Sequence, residues 1–157
     1  MIHHEDEFKK LSPTAKEWLF YRKSLTERLV KYIPDITFHV ISDVENTFAD
    51  SAAQKALDIT PETKTRIRKI EWCLNEKTLI EATVAIPHAS ITPETNVLST
   101  IGNMPIGKVL FTDPDLKRSD FVFYFEKNKW IRESIFTFKN KPLMVREIFL
   151  PSFFLTI

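Results

Sequence analysis

The chain has only two glycines, Gly102 and Gly107, and that scarcity removes several ways of binding nucleotides. A dinucleotide fingerprint needs three glycines at fixed spacing in one turn. Gly102, Gly107 and Lys108 do match the start of a phosphate loop. Val109, however, stands where a Ser or Thr hydroxyl must hold magnesium, and the segment follows a predicted helix instead of a strand. Cysteine is equally scarce. Cys73 alone excludes an internal disulfide and any cysteine-rich zinc or iron-sulfur site, reads as a small hydrophobe beside Trp72, and makes a reducing cytoplasm the expected compartment. The four histidines show no metal-ligand spacing, so no metal site is expected, and His3 and His4 read as an exposed terminus. No Ser or Cys sits in a recognisable nucleophile motif. Charge of one sign is missing too: 22 Lys and Arg face 21 Asp and Glu, which leaves no basic footprint for nucleic acid or an acidic membrane. No run approaches the roughly 18 to 20 apolar residues of a membrane span, and MIHHEDEFKK lacks the apolar segment of a signal peptide.

What is there suits one domain over residues 1–157, with 43% hydrophobic residues and thirteen Phe to build a core. Ser12-Pro13 reads as a helix cap and first helical residue. Ser24-Leu25-Thr26-Glu27 reads as a capping box opening a second helix. Alternation predicts strands over Ile36 to Val40, Lys64 to Leu74, Thr78 to Ile86, Asp120 to Lys127, Trp130 to Phe138 and Pro142 to Leu150. Turns are expected at Asn75-Glu76-Lys77, Asn128 and Asn140. Thr92-Pro93 predicts a further helix through Ile101, ended by Gly102, and residues 44–62 carry little signal beyond a short helix over Ser51 to Leu57. The apolar segment Met104 to Phe111 is expected to line something. Short connections between strands favour antiparallel pairing, so the class is α+β: a six-stranded, largely antiparallel sheet with helices covering one face.

Glu147 is the anomaly. On a strand its face-mates are Leu143, Val145 and Phe149, and an ionised carboxylate in an apolar row must be solvated, paired or hydrogen-bonded. Arg68 has the matching oddity, with Ile70 and Trp72 on its face. Two readings stand side by side. One is a buried structural Arg68–Glu147 ion pair. The other is a small pocket in which Arg68 grips a ligand carboxylate and Glu147 a ligand hydroxyl. Arg132 reads as structural, pairing with Glu133 or a neighbouring strand, and the Phe121, Phe123, Phe125 row as core.

Taken together, Ile67 to Ile70, Thr83 to Pro87, Met104 to Phe111, Leu116 with Arg118, Trp130 to Ser134 and Lys141 to Pro151 resemble the chorismate pyruvate-lyases, with a weaker match at Ser24 to Glu27. Those are cofactor-independent enzymes that convert chorismate to 4-hydroxybenzoate and pyruvate at the start of ubiquinone synthesis. The resemblance implies flap helices over a buried ligand pocket. In it Arg68 binds the ring carboxylate, Glu147 the 4-hydroxyl, and Leu25 and Ile106 complete the site through backbone groups. Arg68 and Glu147 are thereby the expected catalytic residues. The family position aligned with Thr83 commonly carries an arginine suited to the enolpyruvyl carboxylate. The expected partners are small molecules only, chorismate and 4-hydroxybenzoate, acting on a cytoplasmic monomer. A lyase releasing another hydroxybenzoate, a non-catalytic aromatic-acid carrier and a structural protein remain as alternatives.

Overall fold

Three two-residue turns organise the sheet. Asn75-Glu76, Lys127-Asn128 and Lys139-Asn140 all have positive φ at both positions, the type I′ geometry whose twist matches that of the flanking strands. Asn tolerates this backbone better than most residues, which is why each turn contains one. In the computed structural model, which describes residues 1–157, these turns join β2 (Lys64–Leu74) to β3 (Lys77–Pro87), β5 (Val122–Glu126) to β6 (Lys129–Phe138), and β6 to β7 (Lys141–Phe149). With β1 (Thr37–Phe48) and the two-residue β4 (Lys117–Arg118), they form a seven-stranded sheet in the order β1-β2-β3-β7-β6-β4, with β5 also on β6; the strand beyond the six expected is β4, too short to show alternation in sequence. Every strand pairing is antiparallel.

Register decides which side chains share a face. Ile70, Ala82, Glu147, Arg132 and Phe123 lie opposite one another along one row, and Arg68, Val84, Val145 and Ser134 along the next row on the same face. Between them, Lys69, Thr83, Arg146 and Glu133 form a row on the opposite face.

The first face is the covered one. Helices α2 (Pro13–Phe20), α3 (Leu25–Tyr32) and α6 (Pro151–Thr156) bury Leu19, Leu29, Ile80, Phe149 and Phe153 completely. Each such side chain contributes about 1.5–3 kcal/mol of transfer free energy. A second cluster, with Leu98, Leu110, Phe136 and Leu143, lies where α5 (Gly107–Leu110) and its preceding loop close over the sheet. Helix α1 (Glu5–Lys9) buries none of its residues fully. The expected capping signals are present in part: Ser12 Oγ accepts from Ala15 N (3.1 Å) and Ser24 Oγ from Glu27 N (3.2 Å), without the reciprocal Glu27 bond.

Three stretches depart from expectation. β1 runs on to Phe48, because register shifts between Val40 and Ser42 and between Val44 and Thr47 interrupt the alternation that marks a strand in sequence. Helix α4 (Ser51–Leu57), capped by Asp50, forms over the expected residues, but it sets Ala53 and Leu57 against Ala85 and Met144, so the second face, expected to be bare, is partly covered too. The helix expected from Thr92 is replaced by short 3₁₀ turns at His88–Ser90 and Asn96–Ser99. There the Thr95 hydroxyl accepts from Thr92 N (2.7 Å) and donates to Ser90 O (2.6 Å), local bonds that compete with helical ones. Gly102 does take the left-handed conformation (φ 62°). No helix is long and apolar enough to cross a membrane.

Candidate active site

A cavity of about 70 Å³, several times the room one water needs, lies between the covered face and two flaps. Its floor is Ile70 and Trp72 of β2, Ile80, Ala82 and Val84 of β3, and Val145 of β7. One flap is Lys23, Leu25 and Thr26 at the start of α3. The other runs from Pro105 through Ile106 and Gly107 to Phe111, the segment expected to line something. The flaps meet at Gly107, where a Cβ would stand 3.4 Å from Thr26 Oγ1, at van der Waals contact. Leu25 and Ile106 both border the cavity at helix starts, where backbone N–H groups have no intrahelical acceptor.

Arg68 and Glu147 both reach this cavity but do not bond to each other, which corrects the reading of a mutual ion pair. They stand on strands separated by β3 and two residues apart along the strand direction, about 12 Å between backbones. Arg68 is 1% exposed. Its Nη1 donates to Asp43 Oδ2 (3.2 Å) and Gly102 O (2.8 Å), and its Nη2 to Met104 O (2.5 Å). Those three bonds leave Nε–H and one Nη2–H of the five guanidinium donors for a ligand. Arg66 bonds to the same Asp43 and to Glu45, so two cations at this end face two carboxylates.

Glu147 is held by two arginines. Arg132 lies directly opposite on β6, fully buried, and bonds through Nε to Glu147 Oε2 and through Nη2 to Oε1 (3.3 Å). Its Nη1 also donates to Leu19 O (2.7 Å) and Tyr21 O (3.0 Å) at the end of α2. Arg132 therefore pairs with the neighbouring strand, one of the two options open from sequence. Arg118 approaches Glu147 Oε2 to 3.5 Å. Burial works against the Glu147 charge, but Arg132 and Arg118 outweigh it and hold the carboxyl below the ordinary glutamate range. An apolar slot thus has a cation with free donors at one end and an ionised carboxylate at the other. It suits a flat ring with a carboxylate and a hydroxyl on opposite sides.

Comparison with known proteins shows the family. Residues 2–156 match the family model described as chorismate lyase. The chain belongs to the chorismate lyase family. It is 33% identical to a probable chorismate pyruvate-lyase of Coxiella burnetii, over 90% of this chain and 86% of that protein. It is 26% identical to a chorismate pyruvate-lyase of Enterobacter sp. (strain 638), over 96% and 91% respectively. Among solved structures, a GntR-family transcriptional regulator from Bacillus cereus aligns with a TM-score of 0.52 at 14% identity, covering 75% of this chain and 93% of that one, a likeness of fold.

Within this chorismate lyase fold, Thr83 does not line the cavity. It belongs to the opposite row, where Lys69 and Arg146 are its neighbours, so none of the three supplies charge to the pocket. Glu133 is on that side as well, 3.4 Å from Arg146. What sequence reasoning missed is the pair of arginines on Glu147. Strand parity alone puts Arg132 and Ser134 on one face of β6, but only the β6–β7 register sets Arg132 against Glu147.

Proposed function

We propose that this chain is a chorismate lyase that forms 4-hydroxybenzoate and pyruvate, with Arg68 and Glu147 as the residues that fix the ring. The observation that carries this reading is the cavity with Arg68 and Glu147 at opposite ends of an apolar floor. Arg68 anchors the ring carboxylate through its two unused N–H donors, and Glu147 accepts from the 4-hydroxyl. The flap backbones at Leu25 and Ile106 complete the enclosure. Held this way, chorismate has its enolpyruvyl ether folded over the ring. The bond from C3 to the ether oxygen breaks, the hydrogen on C4 moves to the enolpyruvyl methylene carbon, pyruvate separates, and the ring becomes aromatic. Aromatisation supplies the driving force. The protein contributes orientation and fixed dipoles around the departing oxygen, and no covalent intermediate forms.

The same proposal includes a monomer working in the cytoplasm on free chorismate, without a nucleic-acid partner, at the start of ubiquinone synthesis. Incubating purified protein with chorismate and following both products tests it. Equimolar 4-hydroxybenzoate and pyruvate above the uncatalysed rate is the expected result. A different hydroxybenzoate on chromatography would replace the reading with the altered lyase, tight 4-hydroxybenzoate binding without turnover with the carrier, and no binding at all with the structural protein.

A further inference from the structure

Chorismate carries two carboxylates, and the arrangement above accounts for one. If the lyase reading is right, the second has a defined place. The enolpyruvyl group is attached to C3, adjacent to the C4 that bears the hydroxyl, so its carboxylate must lie near the Glu147 end of the cavity. The cationic side chains lining the cavity are Lys23, Arg68 and Arg118, and only Arg118 is in contact with Glu147. We infer that Arg118 takes the enolpyruvyl carboxylate and is a binding residue for the substrate that the aromatic product does not use.

The local geometry suits that role. Arg118 is anchored by Nε to Ser134 Oγ (2.9 Å) and by Nη1 to Arg22 O (3.0 Å), just before the α3 flap. Its guanidinium carbon stands 4.4 Å from the ring centroids of both Phe121 and Phe136, which fix its plane. Counting the contact to Glu147, three of five N–H donors are used, leaving one on each Nη for a carboxylate. Charge points the same way. At the Arg68 end, Arg66 and Arg68 face Asp43 and Glu45, whereas at this end Arg118 and Arg132 share the single carboxylate of Glu147. Burial pushes the Arg118 pKa down to about 10, with Arg132 and Arg22 acting in the same direction against the pull of Glu147. The group stays protonated at neutral pH, with one positive charge in excess that an incoming carboxylate would balance. No cation from the opposite face competes, because Lys69 and Arg146 point away from the cavity.

The test compares substrate with product. In Arg118→Gln, KM for chorismate should rise about 30-fold, the loss of roughly one charge-assisted bidentate contact, while inhibition by 4-hydroxybenzoate changes less than about threefold. Equal weakening of both would mean that Arg118 acts by holding Glu147, and no weakening of either would remove it from the site; both outcomes overturn the inference. A ligand pair on the unmodified protein gives the same answer whatever the variant's folding. 3-(Carboxymethoxy)-4-hydroxybenzoate should bind about tenfold more tightly than its side-chain amide, a preference that Arg118→Gln abolishes and Lys23→Gln leaves intact. Equal affinity of acid and amide would overturn the inference. Absence of chorismate turnover by the unmodified protein would instead count against the lyase reading, and the ligand pair separates the two failures.

Discussion

The two faces of the sheet carry similar charges and hold them differently. On the outer row Arg146 pairs with Asp50 (2.7 Å), whose side chain is 56% exposed, so that solvent screens this pair, and stands 3.4 Å from Glu133. On the covered row Arg132 and Glu147 are sealed under α2 and the flaps, and Arg132 Nη1 donates to backbone carbonyls of α2 and its end. Covering charge in this way costs desolvation and is often no more stabilising than an apolar substitute. The difference teaches that the buried network is not explained as a source of stability, which fits the binding role proposed for Glu147.

The comparison can be broken most severely at Arg132. Arg132→Met leaves Glu147 buried with one distant partner and should cost about 3–5 kcal/mol in urea unfolding; a loss below about 1 kcal/mol would mean that Glu147 is solvated. Glu147→Ala should lower kcat by roughly 100- to 1000-fold, as for loss of a preorganised polar group at the reacting centre, and steady-state rates would show it. Arg68→Gln should weaken 4-hydroxybenzoate about 100-fold in calorimetry, since it removes a charge-assisted anchor. Acid stability sharpens the contrast further. The folded chain holds Glu147 below its ordinary value of 4.5, so the stabilisation is complete above that pH and is lost as pH falls through the lower folded value. Glu147→Gln should therefore flatten the fall of Tm on acidification; an unchanged slope would assign the fall to other carboxylates such as Asp50, whose pKa Arg146 also lowers. A smaller effect than at Arg132 belongs to the outer face, where Arg146→Gln leaves the exposed Asp50 screened by solvent but Glu133, 11% exposed, without its cation, and should cost about 1–3 kcal/mol while leaving turnover intact.

Much of this was legible in the residues. The row Leu143, Val145, Glu147, Phe149 announced a carboxylate on a covered face, because alternation on a strand is a local property that needs no knowledge of the fold. The hairpin turns were legible for the same reason, each containing an Asn. Partners were not. Whether Arg68 meets Glu147 depends on β3 lying between their strands, and whether Arg132 does depends on the β6–β7 register, and neither is encoded near those residues. β1 was underestimated because its bulges break parity, and the Thr92 helix was overestimated because threonine hydroxyls captured the backbone groups that a helix would use.

The measurement that tests the central claim most directly is the structure of the protein bound to 4-hydroxybenzoate. The result expected is a ring on the floor of Ile70, Ala82 and Val145, with its carboxylate on Arg68 Nε and Nη2 and its hydroxyl on Glu147. A ring bound in the opposite-face groove beside Lys69, Thr83 and Arg146, with the covered cavity unchanged, would contradict it.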